Sequence, residues 1–595
     1  MHFSRRGLPL VGAAMLGLFS ISPATASPSV QAGPSSTATP IKHLVVIFQE
    51  NVSYDHYFGT YPIAANTSGQ VFRAEGRPKN NNLASTKGVG GVGTLLTNNP
   101  NKDAGGNQVN PRRYDPANVN DILTCDQNHD YGDEQKAFNG GAMDKFVTSV
   151  GTDGNSKSPT GQKCIAADVM NYYDGNTVTA LWNYAHRFSM SDNSFGTNFG
   201  PSSPGAINLV SGNTGTVGLM FKGPNNTVPN GQGGFTLIGD DQPYYDDCST
   251  RDAVTMTGKN IGDLLNAAGL SWGWFESGMR PSTPFATAAT KAGHPGQPTS
   301  TFIPDEFSGM FNVPPQANQG ICNTAHPIGV AVGGIGQWGS KDDYIPHHEP
   351  FMYYASTANP HHLPVASLGA IGTDTQTFVG GMPQFDTANH QYDMSDFDAL
   401  VSAISRGFVS PDHLPAVSFL KAPGWQDGHA FYSDPIDEQA FIVNEINALQ
   451  HTPDWASTAV VIAYDDSDGW YDHAFSGVHN PSTSAKDFLT GAGQCGAANA
   501  TRLAGQQGRC GYGPRQPLLV ISPFAREGKI DHTLTDQSSI LKFAEDNWHL
   551  PRIAGSFDAI AGPLNGMFDF SDEHEDNSKL FLDPVTGQPL QRGGD

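Results

Sequence analysis

Most of the chain is polar, glycine- or proline-rich, and against that background a few short apolar runs stand out. Ile41-Lys-His-Leu-Val-Val-Ile-Phe48, Ala459-Val-Val-Ile-Ala463 and Pro517-Leu-Leu-Val-Ile-Ser522 are the clearest. Continuous apolar runs of this length predict strands buried on both faces of a parallel sheet. Leu414–Leu420 and Leu270–Phe275 predict two more. Between them the apolar period changes to that of helices: Gly132–Val147, Asn176–His186, Lys259–Leu270, Pro435–Gln450 and Thr535–Asn547, the last with a capping sequence at its start. Such alternation predicts an α/β fold around a mostly parallel sheet. Residues 69–120 and 212–245 read as glycine- and asparagine-rich loops.

Polar residues that could carry chemistry follow two of the strands. The first strand runs into Gln49-Glu50-Asn51, and the second into Tyr464-Asp465-Asp466-Ser-Asp468-Gly-Trp-Tyr-Asp472-His473. In open α/β sheets ligands bind at the carboxyl ends of strands. Adjacent in one sheet, these two ends would bring together Glu50, Asn51, Asp465 and Asp466. That set is all oxygen and mostly anionic, as a hard divalent cation prefers. An Asp-Asp pair alone is more often a solvated turn; the strand before it and Asp472-His473 after it favour a site.

Gly200-Pro201-Ser202-Ser203-Pro204-Gly205 is a tight turn opening an apolar helix. A hydroxyl there sits at a helix N-terminus, where free N–H groups favour phosphate. On the turn alone, an N-cap serine is the simpler reading. His347-His348 and His361-His362 fall in one short span. They suit metal binding, or a proton-carrying wall facing an anionic substrate. His129 and His429 stand in loops, where a lone histidine is usually structural.

Length and composition narrow the possibilities further. The 595 residues carry a net charge of −24, which argues against nucleic acid as the main partner. With 68 glycines, 42 prolines and 15% charged residues, the chain should carry long ordered loops on a stable frame. Residues 1–26 read as an export signal: Arg5-Arg6, an apolar run from Leu8 to Ile21, then Ala24-Thr25-Ala26. The run is too short for a stable membrane span. Ser4-Arg5-Arg6-Gly7-Leu8 resembles a twin-arginine signal, and an ordinary secretory signal fits as well. A Ser/Pro-rich linker follows at 27–40, then a single domain over 41–573 and a polar tail at 574–595. Cys125, Cys164, Cys248, Cys322, Cys495 and Cys510 form an even set in an exported chain, which favours disulfides. Sequence order suggests 125–164, 248–322 and 495–510, among about fifteen possible pairings.

Several of these stretches together resemble the bacterial phosphoesterase family that holds the secreted phospholipases C and acid phosphatase A. They are Val45–Gly59 with Glu50-Asn51, Gly200-Pro201-Ser202, His347-His348-Glu349-Pro350-Phe351 with Tyr353-Tyr354, Asp465-Asp466 with Asp472-His473, and Pro517–Ala525. The resemblance runs in order from about residue 41 to 550. It implies an alkaline-phosphatase-like three-layer α/β/α sandwich. It also implies one divalent metal ion, of the Mg, Ca, Mn, Fe or Zn group, on Glu50, Asn51, Asp465 and Asp466. Ser202 would be both nucleophile and ligand. His129, His348 and His429 would surround the phosphoryl group, with His347 beside them, and His429 would be the favoured proton donor. His361, His362 and His473 are weaker candidates.

The phospholipase branch carries Gly-Pro-Thr followed by Pro-Asn-Arg, where this chain has Ser202-Ser203-Pro204-Gly205-Ala206. It has Asp-Glu followed by Gly-Gly, where this chain has Asp465-Asp466-Ser467-Asp468-Gly469. It often adds C-terminal β domains, for which the polar tail has no room. These differences point to the acid phosphatase branch: a secreted, metal-dependent acid phosphatase of broad specificity that hydrolyses small phosphomonoesters through a phosphoserine intermediate, with protonated histidines suiting an acidic optimum. Hydrolysis of phospholipid headgroup esters is the alternative, and a non-catalytic exported binding protein a remote one.

Overall fold

The computed structural model describes residues 36–65, 80–221, 226–281, 322, 324–333, 336–497, 500, 502–571 and 579–590. The expected export signal, residues 1–26, lies outside the described residues.

Eight strands build the central sheet: β1 (His43–Gln49), β2 (Ser189–Ser191), β3 (Trp272–Glu276), β4 (Gln391–Asp393), β5 (Val417–Lys421), β6 (Thr458–Tyr464), β7 (Leu518–Ile521) and β8 (Lys529–Asp531). Their order is β4-β3-β5-β1-β6-β7-β2-β8. Within it β1 lies between β5 and β6 and is parallel to both. Only β7 runs against its neighbours. Every residue of β1 and β6 is buried, which is why both read as unbroken apolar runs.

Six helices pack in two groups: α1 (Thr179–Arg187), α2 (Ser202–Ser211), α3 (Ile261–Ala268), α4 (Met394–Ser405), α5 (Pro435–Gln450) and α6 (Ser538–Asn547). One group is α1, α4 and α5; the other is α2, α3 and α6. Two helical layers around a mostly parallel sheet make the expected three-layer α/β/α sandwich. A residue at a parallel-strand end therefore emerges at one rim of the sheet, between the layers.

The structure differs from the sequence reading in places with physical causes. The helix expected over 132–147 stops at Phe138, because Asn139, Gly140 and Gly141 all take left-handed backbone. Part of 212–245 is not loop. Val217–Phe221, Thr227–Pro229, Phe235–Leu237, Gln242–Pro243 and Ala253–Met256 form a second, five-stranded sheet just after α2. Residues 579–590, read as polar tail, lie against the domain: Leu582 is fully buried, and Asn447 and Gln450 of α5 bond their backbone. The cysteines pair in sequence order, 125–164, 248–322 and 495–510.

Helix α2 crosses the end of β6 at van der Waals distance. A Cβ at Gly205 would overlap the Asp465 carbonyl oxygen, a backbone atom with nowhere to move. We expect Gly205→Ala to destabilise the fold by about 1–3 kcal/mol, the usual scale of overpacking. By moving Ser202 off the strand ends, it should also cut phosphoester turnover well beyond the loss of folded protein. Urea unfolding and turnover per folded molecule, measured together, check this.

Candidate active site

The β1–β6 register aligns Gln49 with Tyr464, so Glu50 and Asp465 leave the sheet side by side. The two strand ends are then laced together. Asp465 Oδ1 accepts from the Asn51 amide at 2.9 Å and from the Asp466 amide at 2.7 Å, and Val52 N donates to Asp466 O at 3.0 Å. Asn51 turns the chain with φ of 59°, a conformation its short polar side chain tolerates. Further out, buried Arg515 bonds Asp472 at 3.1 Å and Asp55 at 3.2 Å, clamping the loop after β6 to the segment after β1.

Ser202 begins α2 and brings its hydroxyl to this junction. Its Oγ lies 3.1 Å from Glu50 Oε2, 3.1 Å from Asp466 Oδ2 and 3.4 Å from Asn51 Oδ1. The N-cap reading of the serines does not hold. Pro201 takes the cap position, and Asp240 Oδ1 accepts from the Ser203 amide at 2.9 Å. Ser203 turns aside to Tyr353, 3.2 Å away.

Four oxygens thus face one another with a single hydroxyl proton among them. All four residues are at most 3% exposed. Burial first, and then the Asp465 charge, push the acids of Glu50 and Asp466 well above the usual carboxylate range. A divalent cation among these oxygens would relieve their crowding, and an all-oxygen, mostly anionic donor set suits a hard cation. The alternative without a cation is a reversed Asn51 amide. Its nitrogen would then donate to Glu50 Oε2 at 2.8 Å, and its oxygen would face His429 Nε2 at 2.9 Å, which requires an imidazolium at His429. His129, His429 and Asp468 also stand close enough to share a metal, directly beside this set.

Burial and neighbouring charges drive the histidines of this region in different directions. For His129, burial opposes the charge, but Asp466, Asp468 and Asp126 outweigh it and raise its pKa well above the ordinary value. His429 is driven the other way, by burial and then by the charge of His129. Its Nδ1 donates to Ala430 O at 2.7 Å, leaving an Nε2 lone pair. His348 is lowered by burial and then by Lys421 and His347, and its Nδ1 is 3.4 Å from Glu50 Oε1. His347 is lowered by burial and then by Arg251, 3.2 Å away. The weaker candidates stand apart from this group: His361 on Asp247, His362 on Asp246 and the Met279 carbonyl, and His473 on Asp55.

Residues that sequence reasoning passed over complete the site. Lys421, the last residue of β5, is buried and pairs with Glu50 Oε1; its signal was a lysine closing an apolar strand. Asp468 lies 3.4 Å from His129 and 3.4 Å from Asn51 Nδ2. Two cavities open beside this group of residues. One of about 360 Å³ is lined by His129, Pro201, Asp240 and Arg251, among others. The other, about 240 Å³, is lined by Arg251, Lys341, Tyr344 and His347 and the Cys248–Cys322 bridge.

Comparison with known proteins gives the family. The model of the Phosphoesterase family matches residues 41–311 and 348–551. A non-hemolytic phospholipase C of Burkholderia pseudomallei is 24% identical over 586 residues, covering 96% of this chain and 65% of that protein. A hemolytic phospholipase C of Pseudomonas aeruginosa is 30% identical over 166 residues, 27% of this chain and 22% of that one. Phospholipase C B of Mycobacterium tuberculosis is 29% identical over 176 residues, 27% of this chain and 31% of that one. This chain therefore spans less than two thirds of each of these relatives. With strand-end oxygens and a serine hydroxyl gathered at one rim, and a family match over most of its length, the chain belongs to the Phosphoesterase family.

Proposed function

We propose that the protein is an exported, metal-dependent phospholipase C-type enzyme that cleaves phosphodiesters through a phosphoserine intermediate. The observation that carries the chemistry is the approach of Ser202 Oγ to Glu50, Asn51 and Asp466 at two adjacent strand ends. The phospholipase names of the relatives favour the lipid reading over a monoester one. The three disulfides suit an oxidising compartment. Among the described residues no helix is long and apolar enough to cross a membrane. A phosphomonoesterase is the second reading, favoured by the Ser202-Ser203 and Asp465-Asp466 departures from the phospholipase pattern.

Glu50, Asn51, Asp465, Asp466 and Ser202 would hold the cation. Bound there, it would supply positive charge that acidifies the Ser202 hydroxyl and polarises a phosphoryl oxygen. Ser202 Oγ forms a bond to phosphorus as the bond to the leaving oxygen breaks. His129, held cationic by Asp466 and Asp468, donates a proton to that oxygen, a role the sequence reading gave to His429. His429, neutral with its Nε2 lone pair free of Ala430, accepts a proton from the water that hydrolyses the phosphoserine. His348 and His347 line the same wall as neutral hydrogen-bond partners. Lys421 holds Glu50 Oε1 and leaves Oε2 to face Ser202.

Three outcomes test this reading. Ser202→Ala should abolish turnover of p-nitrophenylphosphocholine by several orders of magnitude with folding unchanged. Release of phosphocholine from phosphatidylcholine should vanish with it. A parent that cleaves only p-nitrophenyl phosphate would move the assignment to a phosphomonoesterase.

His129→Asn should slow phosphatidylcholine, whose leaving alkoxide needs a proton, by about 10²–10⁴-fold. The p-nitrophenyl ester, with its good leaving group, should be slowed far less. The raised pKa of His129 places the parent's loss of activity on the alkaline side, as the imidazolium deprotonates. The variant should lack that limb in its pH–rate profile.

A divalent cation at about a hundredfold excess over its dissociation constant should stabilise the parent by about 2.7 kcal/mol, read as a rise in thermal midpoint. Glu50→Gln and Asp465→Asn should lose that rise.

A further inference from the structure

A β-hairpin ahead of β4 carries an apolar tip that no described residue covers. Phe378–Val379 pairs with Met382–Pro383, joined by Gly380-Gly381. Both glycines take positive φ, 60° and 85°, as a tight two-residue hairpin turn requires. Phe378 is 53% exposed, Val379 66% and Met382 51%. A Cβ built on either glycine meets nothing within 4 Å, so the turn projects into open space.

The tip is held out rigidly. Asp386 accepts from the Thr377 amide at 2.9 Å and from its hydroxyl at 2.6 Å, and Gln384 N donates to Thr377 O at 3.0 Å. The hairpin's root also leads to the cavity beside His347. Phe385 is buried in an apolar cluster with Tyr244, Met279, Met352, Tyr344 and the Cys248–Cys322 bridge. The last three cysteine and tyrosine side chains of that cluster line the cavity beside His347.

Exposing a phenylalanine, a valine and a methionine at the end of one braced turn loses the gain from burying them. It is recovered if the tip enters an apolar phase. The charge pattern says which. No lysine or arginine occurs from Thr373 to Asn389; Asp374 and Asp386 flank the hairpin, and the chain carries −24 overall. An anionic surface would repel it.

We propose that the Phe378–Pro383 hairpin is a docking element that inserts its tip into a zwitterionic phospholipid surface and brings the His347 cavity to the lipid headgroups. The inference rests on the phospholipase reading for its choice of partner, and its test reads binding rather than catalysis.

The test uses the full-length chain with Ser202→Ala, so that lipid is not consumed, and phosphatidylcholine vesicles in a flotation assay. Phe378→Ser/Met382→Ser should weaken vesicle binding by about tenfold or more, as expected for removing two inserted apolar side chains. With Ser202 restored, the same double change should leave p-nitrophenylphosphocholine turnover unaltered. Val89→Ser/Val92→Ser, on another exposed Gly-Gly tip, is the matched control and should leave vesicle binding intact.

Equal binding by the Phe378/Met382 variant and its parent would overturn the proposal. So would absence of parent binding, equal loss in the Val89/Val92 control, or binding that strengthens steeply with added phosphatidylglycerol. A parent dimer that the Phe378/Met382 change splits, with vesicle binding unaltered, would assign the tip to a second copy of the chain instead. Failure of soluble-ester turnover would count against the catalytic reading alone.

Discussion

Three acid side chains, Glu50, Asp465 and Asp466, are buried at the ends of two neighbouring central strands, and the surrounding structure answers their mutual repulsion. Several unpaired carboxylates cannot stay ionised together out of water. Lys421 offsets one charge from the neighbouring strand, and His129 a second from a loop. What is left suits one divalent cation. The same demand shapes the backbone, since Asp465 must spend one oxygen on two amides to hold Asn51 and Asp466 in place.

The sandwich keeps these groups from relaxing apart. β1 and β6 are paired residue by residue up to the point where the ligands begin, so Glu50 and Asp465 inherit the precision of the sheet. Helix α2 is pressed onto the same end through Gly205, which fixes the serine against the acids. Arg515, wholly buried between Asp55 and Asp472, ties together the two loops that leave the strands. Losing such a clamp would leave buried carboxylates unpaired, a far larger penalty than losing a surface ion pair. Distant parts of the chain are thereby committed to a geometry set within a few ångströms.

Much of this was legible before the fold was known, for identifiable reasons. Strands buried on both faces leave unbroken apolar runs, so β1, β5, β6 and β7 could be read directly, with β3 close behind. The oxygen ligands followed because they succeed such strands in sequence. The strands β2, β4 and β8 have three residues each, too few for any period to show. The five-stranded sheet after α2 hid among glycines and asparagines. Lys421 and Asp468 were missed because their partners lie far away in sequence, and no local pattern marks them. The charges of the histidines were also beyond reach. His129 and His429 look alike in sequence, and only burial beside different neighbours drives them apart.

That separation bears on how the chemistry is divided. Two groups whose environments push their proton affinities in opposite directions are suited to opposite halves of a two-step displacement. The two rings are near neighbours, with centroids 6.1 Å apart. The charge on His129 suppresses protonation of His429, while the carboxylates below hold His129 charged. Adding a cation would weaken the hold of Asp466 on His129 but not that of Asp468, which lies 3.4 Å from the ring and outside the expected ligand set. In the proposed mechanism Asp468 would preserve the charge of His129 with a cation bound, keeping its proton available as a phosphoester bond breaks.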